Sequence, residues 1–165
     1  MIVVSDTTPI ISLLKINKLS ILEALFHEVQ IPAAVFAELT TAQRYRNEAE
    51  IIRNCPFLRV VVVKDRDSVE RMRRNRELDL GESEAIILTE AISADLLIVD
   101  EAAARDVARS LNIRITGTIG LLMEAYERGL LSANDIINCV NGLRNSNRHI
   151  SERYYQKLLD LTTRK

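Results

Sequence analysis

Ile2-Val3-Val4-Ser5-Asp6-Thr7-Thr8-Pro9 is the stretch whose reading decides the fold. A short continuous apolar run marks a strand buried on both faces, and Thr8 before Pro9 fits the N-cap and first position of a helix. The segment therefore predicts a strand that turns directly into a helix. The same punctuation returns at Leu96-Leu97-Ile98-Val99-Asp100, after which Asp100 to Leu111 reads as an alanine-rich helix. Asp6 and Asp100 thus occupy equivalent places, each at the carboxyl end of a buried-type strand.

Outward from these two strands, further ones are predicted at Val29 to Ile31, Val60 to Val63 and Ile113 to Thr116. Helical patterns separate them, starting at Pro32, Asp67, Gly81 and Gly117. Apolar strands alternating with helices call for a central, mostly parallel sheet covered on both faces, an α/β fold built as a three-layer α/β/α sandwich. From Ser132 onward the periodicity is helical only, with Ser132 and Ser151 as caps, so C-terminal helices are expected to pack against the sheet. The expected organisation is a single domain over residues 1–165, with its core in 1–130 and a helical extension in 131–165.

The size suits that reading, because 165 residues, 47% hydrophobic and 27% charged, can bury a core. With 3 prolines, 5 glycines, no repeat and no biased run, no linker divides the chain. No apolar stretch approaches the roughly 20 residues that cross a bilayer, which argues against a membrane protein. Cys55 and Cys139 lack the paired spacing of a zinc site, and no signal peptide opens the sequence. A reduced, cytoplasmic protein is expected. A net charge of -1 supplies no global basic field, so any contact with nucleic acid must be local.

Four acids carry the chemistry. In open α/β sheets ligands bind outside the carboxyl ends of the strands, where Asp6 and Asp100 lie. Glu38, in Ala33-Ala34-Val35-Phe36-Ala37-Glu38-Leu39, has apolar neighbours three and four residues back and should border a buried face. Glu82 opens the helix Gly81-Glu82-Ser83-Glu84, with Asp79 three residues before it. Each has a plainer reading: Asp79 and Glu82 fit a capping box, Asp100 an N-cap, Glu38 a solvated helix position. Gathered together, however, carboxylates raise one another's pKa unless a cation compensates them. Hard oxygen donors suit Mg2+ or Mn2+, which points to hydrolysis of a phosphodiester.

Val3-Val4-Ser5-Asp6-Thr7-Thr8-Pro9, Val35-Phe36-Ala37-Glu38-Leu39, Leu78-Asp79-Leu80-Gly81-Glu82-Ser83-Glu84-Ala85-Ile86, Ile98-Val99-Asp100-Glu101 and Thr116-Gly117-Thr118-Ile119-Gly120, taken in order, resemble a PIN-domain protein. The resemblance spans residues 1–130 and is nearest to a prokaryotic branch neighbouring the VapC-type toxins. It implies a metal-dependent endoribonuclease cutting single-stranded RNA, with Mg2+ or Mn2+ held by Asp6, Glu38, Glu82 and Asp100 and supplying the activated water. It further implies a homodimer and, for a toxin, an antitoxin protein as partner. Thr8 is similar to the hydroxyl residue beside the first acid, and Thr118 belongs to the last motif. The chain departs from the commonest pattern in having Glu82 where many members have Asp, with Asp79, Glu84 and Glu101 as competing acids.

Two weaker features have competing readings. Arg71-Met72-Arg73-Arg74-Asn75-Arg76, just before the Asp79 to Glu82 turn, is placed to guide phosphates toward the acidic site, but the alternating acids Asp65, Asp67, Glu70 and Glu77 fit an ordinary solvated helix better. Tyr154 and Tyr155, near Arg148, His149 and Arg153, fit a core or dimer seam better than a base-stacking platform, and neither His27 nor His149 is placed for catalysis. Two rival functions remain: a phosphotransferase with Asp6 as nucleophile, against which Thr8 stands where a second acid is needed, and a catalytically inactive PIN-like binding or regulatory module.

Overall fold

The strands are short and follow their apolar runs: β1 is Val3–Ser5, β2 Val29–Pro32, β3 Leu58–Val61, β4 Leu96–Ile98 and β5 Ile115–Thr116. They form one sheet in the order β3-β2-β1-β4-β5, every pair parallel. The structure, a computed structural model, describes residues 1–146 and 150–163. Arg148 and His149, considered above, lie outside the described residues.

Alternation along the strands divides the apolar side chains between two layers. Val3, Val29, Ile31, Leu96 and Ile98 join a core with Ile10, Ile11 and Leu13 of α1 (Thr7–Lys15) and Leu121 and Leu122 of α8 (Thr118–Glu127). Val4, Leu97 and Val99 join a second core. That one is closed by Val69 of α5 (Arg66–Arg76), Ile86 of α6 (Leu80–Ala91) and Ala104 and Ala108 of α7 (Ala102–Ser110). The result is the three-layer α/β/α sandwich. Among the described residues no helix is long and apolar enough to cross a membrane. Cys139 is buried in the first core, and Cys55 is half-buried.

Several local expectations shift. The first helix starts at Thr7 with Asp6 as N-cap, not at Pro9 with Thr8 as N-cap. Pro9 falls third in the helix, where its missing N–H has no intrahelical partner to lose. The alanine-rich helix starts at Ala102 with Glu101 as N-cap, because Asp100 is engaged elsewhere. β3 lies two residues earlier than the valine run suggested: pairing of Val29 with Leu58 through Pro32 with Val61 sets its limits, leaving Val62 69% exposed beyond the strand.

Three elements have no counterpart in the sequence reading: α2 (Ser20–Phe26), the 3-10 turn Gln43–Tyr45 that follows α3 (Ala33–Thr41), and α4 (Ala49–Arg53). The terminal helices α9 (Ala133–Asn145) and α10 (Glu152–Thr162) stack mainly on α1, α8 and each other instead of lying on the sheet. The capping-box bonds between Ser132 and Asp135 start α9.

Candidate active site

The chain runs from β1 outward to β3, then crosses back to place β4 on the other side of β1. Outside the carboxyl ends of β1 and β4 lies the crevice that such a reversal creates. β1 and β4 pair as Val3 with Leu96, Val4 with Leu97 and Ser5 with Ile98, so Asp6 leaves the sheet beside the residues that follow β4. The N-termini of α1, α6 and α7 open here, with Asp6, Asp79 and Glu101 as their N-caps. A cleft of about 400 Å³ lies between them, and its acids are Asp6, Glu38, Asp79, Glu82 and Glu101. Thr7, Thr8, Arg44 and Tyr45 complete its walls.

The carboxylates are fixed from several elements. Thr7 donates its hydroxyl to Glu38 Oε2 at 2.8 Å, and the Arg44 guanidinium pairs with Glu38 Oε1. Asp79 and Glu82 form a capping box: the Glu82 N–H donates to Asp79 Oδ1 at 2.8 Å and the Asp79 N–H to Glu82 Oε2 at 2.9 Å. Gly81 lies between two of the acids. A Cβ there would stand 3.5 Å from Asp6 Oδ1 and 3.5 Å from Asp79 Oδ1.

Burial and like charge act together on the inner acids. Asp6 is 3% exposed, and burial, reinforced by the charges of Asp79, Glu82 and Glu38, pushes its carboxyl up to about 8 despite the Thr7 backbone hydrogen bond. Burial also raises Glu82, with Asp79, Glu101 and Glu38 adding to it and the Asp79 backbone hydrogen bond opposing it. Among the described residues that line the cleft Arg44 is the one cation, and it pairs with Glu38.

A divalent cation fits the donor chemistry, because all five acids offer hard oxygens and the inner two have no counter-charge among the described residues. Among the described residues no three acidic, histidine or cysteine side chains are already gathered closely enough to hold one ion. Mg2+ needs only one or two carboxylates, with water completing its shell.

The other predicted residues stand as follows. Thr8 lines the cleft, but the hydroxyl that touches an acid is that of Thr7. Asp100 does not line it: Oδ1 accepts the Thr118 N–H at 2.8 Å and Oδ2 the Thr118 hydroxyl at 2.6 Å, which ties the end of β4 to α8. Gly117 permits this approach, since a Cβ there would come within 2.5 Å of Asp100 Oδ1. Of the competing acids, Asp79 and Glu101 share the cleft with Glu82. Glu84 is buried elsewhere, accepting the Ala34 N–H at 3.0 Å and pairing with Arg66.

Thr7, Arg44 and Tyr45 reach the cleft without having been singled out from the sequence. The basic-aromatic-basic run Arg44-Tyr45-Arg46 is the signal that points to the last two. The basic run on α5 is largely exposed and lies outside the cleft lining, with Arg73 paired to Glu70 and Arg71 donating to Ser68 Oγ. Tyr155 is buried in the first core, whereas Tyr154 is exposed beside Arg153. His27 is exposed at the end of α2.

Comparison with curated proteins finds no match. Comparison with protein families finds one, a family described as a PIN domain, which matches residues 2–164. That span takes in the whole sheet, every wall of the acidic cleft and both terminal helices, and this chain belongs to the PIN-domain family.

Proposed function

We propose that this nuclease-type domain is a metal-dependent endoribonuclease hydrolysing phosphodiester bonds in single-stranded RNA. The observation that carries the reading is Asp6: a carboxyl buried among like charges, at a strand end, opening into a cleft with no spare cation among the described residues. Such a group is costly to ionise in isolation and favourable to ionise against a bound cation. Asp6, Glu38 and Glu82 are assigned as ligands of Mg2+ or Mn2+. Asp100, the fourth acid expected from the sequence, is engaged by Thr118, so the fourth place is assigned to its neighbour Glu101, which lines the cleft.

When bound, the ion supplies charge stabilisation at the phosphate and an activated water. The chain supplies position. Thr7 orients Glu38, and the capping box holds Asp79 and Glu82 at one end of the cleft. The N-termini of α1, α6 and α7 favour a phosphate at the same place, because each helix start carries partial positive charge.

The test is cleavage of a labelled single-stranded RNA by purified protein with Mn2+, with Mg2+ and with EDTA. Cutting is expected with either metal, none in EDTA, and a loss of about 100-fold or more in Asp6→Asn. Equal cutting by the variant would sink the site assignment, and no cutting by wild type would sink the general ribonuclease reading.

The toxin role, the antitoxin partner and the homodimer rest on the likeness to VapC-type proteins and belong to the same proposal. Inducible expression should arrest growth in wild type and spare it in Asp6→Asn. Sedimentation should give twice the 18.7 kDa of one chain. Unimpaired growth counts against a toxin, and a monomer against the dimer.

A further inference from the structure

We propose that Arg44 and Tyr45 form the cleft's grip on single-stranded substrate, the guanidinium binding a phosphate and the phenol ring stacking on an unpaired base. The inference rests on the ribonuclease reading and adds to it the residues that select the strand.

Placement comes first. The 3-10 turn Gln43–Tyr45 follows the helix that carries Glu38, and both Arg44 and Tyr45 line the cleft. Five carboxylates share that lining, so a polyanion entering it needs a cation supplied by the protein on the substrate side. Arg44 is that cation, and its planar fork can take a phosphate through two hydrogen bonds.

The contacts that hold Arg44 are replaceable. Its side chain is 66% exposed although it pairs with Glu38 and lies 4.8 Å above the Tyr45 ring. Glu38 keeps a second partner, the Thr7 hydroxyl, when Arg44 leaves. Arg44 also competes with any divalent cation for the Glu38 carboxylate, so a cation at Glu38 and a guanidinium on phosphate favour one another.

Moving Arg44 uncovers an aromatic face. Tyr45 is half-buried and packs against the first core, so its ring is ordered before substrate arrives and little freedom is lost on stacking. An unpaired base can lie on such a ring, whereas a base inside a duplex is already stacked on its neighbours. Arg46, next in sequence, is exposed but does not line the cleft, so the grip is assigned to Arg44 and Tyr45 alone.

The experiment measures cleavage of a labelled single-stranded RNA, its salt dependence, and Mn2+ binding by calorimetry in RNA-free protein. Arg44→Ala should raise KM about tenfold with kcat within about twofold, and lower the slope of log affinity against log salt by about 0.7. The same variant should bind Mn2+ as tightly as wild type or more tightly, since a competitor for Glu38 is gone. Tyr45→Ala should raise KM about tenfold while Tyr45→Phe stays near wild type. If Tyr45→Ala melts too early to assay, Tyr45→Leu keeps the apolar packing and removes the stacking face.

An unchanged KM and salt slope in Arg44→Ala overturns the grip while leaving the nuclease intact. Weaker Mn2+ binding together with weaker RNA binding also overturns it, since that pattern makes Arg44 a prop for Glu38. A wild-type protein that binds Mn2+ but neither binds nor cuts RNA overturns this inference and the ribonuclease reading together.

Discussion

Asp6 gives the folded chain one of its pH dependences. Its carboxyl titrates at about 8 when folded and near the ordinary 3.8 when unfolded, so between those values the folded chain holds more protons. The stability it contributes is therefore complete below about 3.8 and is lost as pH rises through about 8. In EDTA, thermal denaturation from pH 4 to pH 8 should show wild type losing ground to Asp6→Asn, with the variant melting about 5 °C higher at pH 8. If Asp6 is a metal ligand as proposed, Mn2+ should reverse the order, since a ligand that binds only the folded wild type stabilises it. Parallel curves in EDTA would mean that Asp6 is not under this strain. The sequence marks Asp6 by its place at a strand end. It could not show that Thr7, not Thr8, holds Glu38, because that bond joins positions 31 residues apart and leaves no local pattern. Nor could it separate Asp100 from Glu101, since neighbouring residues of an extended chain point to opposite sides and only the packed sheet shows which side is the cleft.

At the scale of elements, the position of Glu38 depends on a contact remote from the cleft. Glu84 of α6 accepts the Ala34 N–H at the start of α3 and pairs with Arg66 of α5, so one buried carboxylate ties three helices together. Glu84→Ala should cost about 2 kcal/mol, chiefly from the helix-end N–H left without an acceptor, and lower Tm by about 4–8 °C. Glu84→Gln, which keeps an acceptor, should lose less; equal losses in the two would place the effect in the charge. Long elements were legible where a cap and a periodic face coincide, as at Asp79 in front of α6 and Ser132 in front of α9. α2 and α4, of 7 and 5 residues, are too short for a helical period to stand out. The limits of β3 come from its partner strand, which no reading of Val60 to Val63 in isolation supplies.

For the molecule as a whole, the alternation of strands and helices made the layered fold legible, while the seat of the last two helices depended on which surface α1 and α8 leave uncovered. Tyr155 and Leu158 of α10 are buried in the same core as Val3 and Ile10. A chain ended at Ser146 should therefore expose that core, melt well below wild type and bind a hydrophobic dye such as ANS; an unchanged melting temperature would make α10 dispensable. The strand order carries one more consequence, for synthesis on the ribosome. β1 emerges first, but the wall completed by β4 and Glu101 is translated far later. At about 5–20 residues per second, the growing chain spends roughly 5–20 s with Asp6 made and the cleft unfinished. The acids of the cleft therefore meet only after most of the chain has been made, so the site cannot form on the first strand and helix alone.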